Sequence, residues 1–95
     1  YSNDKVESLA TLYVNRAECH RQLVDMKAVV ADCEAALQLA PKSFKAHLRR
    51  ALAMEYLEKY DEAAVGFKAA MAIDPSGTVA SEGLRRVAAY KDVDA

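Results

Sequence analysis

Apolar residues recur every three to four positions through five runs of this chain, and nowhere do they alternate with polar ones over the length of a strand. Leu9, Leu12, Tyr13, Ala17 and His20 repeat at that spacing and predict a helix over about 5–23, with Asp4 and Glu7 as its capping box. A second helix is predicted over about 26–39. Phe44, Leu48, Ala51 and Met54 mark a third over about 43–57, and Asp61 reads as the N-cap of a fourth ending near Ile73. Ser76-Gly77-Thr78 then open a fifth, with Ala80, Leu84, Val87 and Ala88 as its apolar stripe and Glu82, Arg85, Arg86 and Lys91 turned toward water. The connections are a few residues long, so successive helices must pack antiparallel and the fold class is all-α.

The two prolines, Pro41 and Pro75, each close an Ala- and Leu-rich run, and they stand 34 residues apart. The same offset superposes Arg16 on Arg50, Ala17 on Ala51, Leu23 on Leu57 and Ala36 on Ala70, with Leu37/Met71 and Leu39/Ile73 as conservative pairs. A paired-helix unit repeated at this period builds a solenoid, here of two units (about 10–43 and 44–77) and a capping helix (about 77–91) in one domain over 1–95. Ala17, Ala51, Ala36 and Ala70 fall where helices must approach closely. The face of the first helix has no partner before it, so Leu9, Leu12, Tyr13 and Val14 are expected to be exposed and to drive self-association.

Composition narrows the function. The chain has 95 residues and a net charge of −1, which argues against broad attraction to nucleic acid, and no apolar run approaches a membrane span. Cys19 and Cys33 lie 14 apart without zinc-site spacing, pointing to a reducing, cytoplasmic setting, and with His20 and His47 they read as packing residues and not as metal ligands. Tyr13, Tyr56, Tyr60, Met54, Met71 and Phe67 likewise read as packing residues and not as a cofactor box. Gly66, Gly77 and Gly83 stand alone, so no phosphate loop is formed, and no cofactor or catalytic centre is expected. The start lacks an initiator Met, and the chain is expected to be a piece of a longer protein.

Charge is concentrated locally. From Pro41 to Arg50 there are Lys42, Lys45, Arg49 and Arg50 and no acid. Lys45 and Arg49 are i and i+4 on one helix, and Asn15 precedes Arg49 by one period, so stacking should bring the three donors together. A mobile ammonium, a planar fork and an amide suit a peptide terminus rich in carboxylates. From periodicity alone the Lys45/Arg49 pair is as readily a solvated helix face. Arg16 and Arg50 read as structural, Arg16 with its stem on the neighbouring helix and its head in water.

The period, Ala51, Ala63-x3-Phe67 and Pro75, with Tyr13, Ala17, Ala36 and Pro41 in the first unit, resemble the tetratricopeptide-repeat signature. Arg16 and Arg50 stand where that signature has Leu, and His47 where it has an aromatic. Tyr13-Val14-Asn15-Arg16-Ala17 and Phe44-Lys45-Ala46-His47-Leu48-Arg49-Arg50-Ala51 are similar to the second and third repeats of the co-chaperone subclass. That resemblance implies a dicarboxylate clamp, gripping the C-terminal Glu-Glu-Val-Asp of the seventy- and ninety-kilodalton heat-shock chaperones, with Asn15, Lys45 and Arg49 as three of its donors. The remaining donors, a Lys and an Asn, would belong to a preceding repeat. The alternatives are a repeat scaffold that binds no chaperone, and the localising part of a fused enzyme.

Overall fold

The computed structural model describes Ser2–Asp94, with side chains covered over 4–90. Five helices follow one another among the described residues: α1 (Ser2–Gln22), α2 (Met26–Leu39), α3 (Phe44–Tyr56), α4 (Tyr60–Ile73) and α5 (Thr78–Asp94). No strand occurs among the described residues, and no helix there is long and apolar enough to cross a membrane. Each helix packs against the next, which makes two antiparallel pairs and a fifth helix in a body of 49 × 29 × 18 Å.

Local chemistry sets several helix ends. Asp25 caps α2 by accepting from the Ala28 N–H at 3.2 Å, and the Ser43 hydroxyl caps α3 by accepting from Ala46 at the same distance. The turns inside the two pairs are equivalent. Val24 and Glu58 take left-handed φ values of 60° and 62°, so the Asp25 N–H reaches the His20 carbonyl and the Lys59 N–H reaches that of Met54. This turn decides where α4 begins: its N-cap is Lys59, without a side-chain cap bond, and Asp61 lies in the first turn beside Glu62. The expected Asp61 cap is thus corrected; the carboxylate favours the helix dipole from within. Similarly α1 starts at Ser2 and places Asp4 in its first turn, where the proposed capping box has no helix boundary to cap.

Tight seams between helices are lined by small residues. Ala17, Ala36, Ala51 and Ala70 are all fully buried. Between α3 and α4 the approach is closest at Gly66, where an added Cβ would stand 2.8 Å from the Ala51 Cβ. The same logic corrects the stripe expected for α1: its buried face is Ala10, Val14 and Ala17, while Leu9 and Leu12 are exposed and Tyr13 is half-buried. Val14 therefore leaves the group expected to be uncovered. On α5 the seam is Ala80, Gly83 and Val87, with Leu84 half-buried and Ala88 exposed, because α5 lies so close to Phe67 that a Cβ at Gly83 would fall on its ring. Met54 and Phe67 are core residues, but Tyr56 is 60% exposed at the edge of α3. Glu82 and Arg85 face solvent, Arg86 bonds Glu55, and the Lys91 side chain lies outside the described residues.

The Arg16 head, though mostly exposed, is not held by water alone. Its guanidinium grips Asp32 on α2 with two bonds, Nε to Oδ2 at 2.9 Å and Nη2 to Oδ1 at 2.6 Å, and stacks over the Tyr13 ring. Asp32 is 4% exposed, and the Arg16 fork holds its carboxyl below the usual range. One period later Gly66 takes the place of Asp32, and Arg50 pairs with Glu34 of α2 at 3.0 Å. The His20 ring nitrogen comes within 3.4 Å of the same Asp32. Cys33 is buried and its thiol is pushed up to about 11 by that burial, whereas Cys19 is exposed; both are free.

Candidate peptide-binding groove

The first helices of the two pairs, α1 and α3, lie side by side and form a groove with two hollows. The first, about 450 Å³, is lined from α1 by Glu7, Thr11, Val14 and Asn15, and from the start of α3 by Phe44 and Lys45. Asn15 and Lys45, thirty positions apart in the chain, thus face one space. Both are exposed, and neither side chain makes a hydrogen bond or ion pair among the described residues. Ser43 fixes where α3 begins and so where Lys45 projects.

Arg49 lies one turn further along α3, half-buried, and its Nη1 donates to the Val14 carbonyl at 2.9 Å. It lines the second hollow, about 230 Å³, together with Ala17, Glu18, Arg21, Met26 and Tyr56. The structure therefore brings Asn15 and Lys45 into one hollow and sets Arg49 in the next, at the waist between them. Glu18 is the acid of this waist. Arg21 holds it with two bonds, at 2.9 and 2.6 Å, and brings its carboxyl down to about 2, with the Arg49 charge adding to the effect. Glu18 stands in no motif of the sequence; its place three residues after Asn15, on the same helical face, is the signal that finds it. His47 points away from the groove, where its Nε2–H donates to the Pro41 carbonyl at 2.8 Å and stiffens the α2–α3 turn.

No family model matches the chain. The TPR domain of Arabidopsis OM64 superposes with a TM-score of 0.83 at 34% identity, covering 85% of this chain and 67% of that domain. The chain belongs to the tetratricopeptide-repeat family. Within it, the first TPR domain of Spaghetti (RPAP3), solved with the HSP90 peptide SRMEEVD, superposes with a TM-score of 0.86 at 26% identity, over 87% of this chain and 66% of that one. Among curated sequences, mitochondrial import receptor subunit TOM34 of Pongo abelii is 46% identical over 81 residues, 85% of this chain. The tetratricopeptide chain spans about a quarter of that relative's length, 26%.

Proposed function

We propose that this tetratricopeptide unit is a docking module of the dicarboxylate-clamp kind, holding the free C-terminal carboxylate of an acidic, Glu-Glu-Val-Asp-type chaperone tail. Lys45 takes the terminal charge, Asn15 adds an amide donor beside it, and Arg49 contributes the guanidinium donors that its bond to Val14 leaves over. The observation that carries the reading is the convergence of Asn15 and Lys45, from different repeats, on one open hollow with no partner among the described residues. An ammonium and an amide left without a partner there await an acceptor. The peptide in the Spaghetti complex ends in Glu-Glu-Val-Asp, which has the matching chemistry. Two free cysteines, one of them buried, suit the cytosol in which such tails occur. In this reading the module binds and does no chemistry.

Titration calorimetry on the full-length protein tests it with a peptide ending in Glu-Glu-Val-Asp and the same peptide amidated. Charge-assisted hydrogen bonds contribute about 1.5–3 kcal/mol each, so amidation should weaken binding about tenfold or more. Lys45→Ala should weaken it similarly, and Lys68→Ala, on the exposed face of α4, should not. Equal affinity of acid and amide would leave Lys45 and Arg49 as a solvated face of a scaffold.

A further inference from the structure

Past Arg49 the groove changes character. Met26, Val29, Leu52 and Tyr56 give the second hollow an apolar floor, and Leu52 and Tyr56 also line a third, open hollow of about 370 Å³ with Glu55, Glu58, Tyr60 and Tyr90. The Tyr60 and Tyr90 rings stack with centroids 5.0 Å apart, which joins α5 to the start of α4. Arg86 already neutralises Glu55, with Nη2 donating to Oε1 at 2.6 Å. Glu58 is exposed on its left-handed turn and makes no side-chain bond among the described residues.

We propose that this third hollow is a subsite for a basic side chain, arginine or lysine, about five residues before the C-terminus of the bound peptide; the assignment rests on the carboxylate-docking reading above. Three tyrosines and one unneutralised carboxylate form a surface that attracts a cation through ring faces and charge together. The groove then carries opposite charges at its two ends, Lys45 at the terminus and Glu58 at the far side, with the apolar floor between them. Register agrees with this. Lys45 and Tyr56 are eleven residues apart on α3, a rise of about 16 Å. An extended peptide covers that distance in about five residues. The peptide SRMEEVD has the required order, with an arginine five positions before its last residue and an apolar methionine between it and the acids. Continuity of the wall through Leu52 and Tyr56 gives such a chain one uninterrupted path.

The experiment is a fluorescence-anisotropy titration of the full-length protein with three peptides: SRMEEVD, the same with its arginine replaced by alanine, and SRMEEVD amidated. Losing the arginine should weaken binding about five- to tenfold, with the difference shrinking as salt is raised. Glu58→Lys, an exposed and structurally mild change, should abolish the preference, and Tyr56→Ala should reduce it. If the arginine and alanine peptides bind within about twofold of each other, or Glu58→Lys leaves the preference intact, the subsite is overturned. When those peptides bind alike yet amidation still weakens binding, only the subsite fails. When amidation changes nothing, the carboxylate reading falls and takes the register of this subsite with it.

Discussion

Arg49 donates from Nη1 to the carbonyl of Val14, 2.9 Å away and 35 residues earlier, and so ties α3 to α1 across the floor of the groove. A helical carbonyl keeps a second lone pair after its own helix bond, and a guanidinium has five donors, so the tie costs neither group its other partners. One side chain therefore sets the spacing of the two helices and presents N–H groups to whatever lies between them. In the docking reading proposed above, binding and architecture meet at the same residue.

This dual role makes lysine a poor substitute at position 49. Arg49→Lys keeps the charge but offers one compact ammonium, which cannot both hold the Val14 carbonyl and fork onto a ligand carboxylate. Peptide affinity should fall about tenfold, close to the loss for Arg49→Ala, while the melting temperature changes little. Calorimetry beside a thermal melt checks both parts. Full affinity in Arg49→Lys would mean that charge alone matters.

The Arg16–Asp32 pair predicts an asymmetry. Asp32 is buried and Arg16 is mostly exposed, so Arg16→Ala strands a buried carboxylate, whereas Asp32→Ala frees an arginine that water can solvate. Arg16→Ala should lower the melting temperature more than Asp32→Ala, and the double variant should recover part of the loss. The pH dependence has a definite sign. Arg16 depresses the Asp32 pKa, as Arg21 depresses that of Glu18, so both contributions are present above the ordinary carboxylate range, about 4, and are lost as pH falls below it. Asp32→Asn should flatten the acid limb of a stability-against-pH curve; an unchanged limb would remove the pair from the account.

Val24 is a β-branched residue held at φ 60°, and it is exposed, as is Leu23 beside it at 78%. Left-handed backbone at such a residue costs about 1–2 kcal/mol, with no packing in return. Val24→Asn should therefore stabilise the fold by about 1 kcal/mol in urea titrations. Glu58→Asn, the same turn one repeat later but without branching at Cβ, should gain less. A loss of stability in Val24→Asn would show that the valine packs against something.

The period of 34 and the apolar spacing carried most of the fold into view, because a repeated unit states its small-residue seams twice. Ala17 with Ala51, and Ala36 with Ala70, could be read as close approaches before any coordinates. What escaped the sequence was context that one repeat does not share with the next. Asp32 and Gly66 occupy the same register, yet one anchors an arginine and the other admits a neighbouring helix, and only three-dimensional packing tells them apart. The capping role given to Asp61 failed because the left-handed turn at Glu58 sets the start of α4 ahead of it, and that given to Asp4 because α1 already runs from Ser2. Register set Asn15 beside Arg49 and drew Lys45 in with them; the structure keeps Asn15 with Lys45, whereas Arg49 lines the next hollow and reaches Val14 along a side-chain path that spacing does not encode.

Glycine substitutions separate seam from surface. Elsewhere in a helix, Gly→Ala is favoured by about 1 kcal/mol through backbone entropy. At Gly66 the new Cβ would lie 2.8 Å from the Ala51 Cβ and 3.2 Å from its Cα, so backbone must move, and at Gly83 it would meet the Phe67 ring, which is fully buried and has nowhere to turn. Overpacking of this kind costs about 1–3 kcal/mol, enough to outweigh the propensity gain. Ala51→Leu should lose a comparable amount by pressing on Gly66 from the other side. Gly77 is the control, since its Cβ would make only ordinary contact, 3.8 Å from the Phe44 ring. Gly77 lies just before α5 and outside any helix, so it has no propensity to gain and no clash to suffer. Gly77→Ala should therefore change stability by about 0.5 kcal/mol at most, while Gly66→Ala and Gly83→Ala clearly lower the urea midpoint. Gly83→Ala should in addition loosen α5 and with it the Tyr60–Tyr90 stack, so its effect should appear in tyrosine near-ultraviolet circular dichroism before global unfolding. A Gly83→Ala variant as stable as the parent, with that signal unchanged, would mean that α5 does not sit on Phe67 as closely as this packing requires.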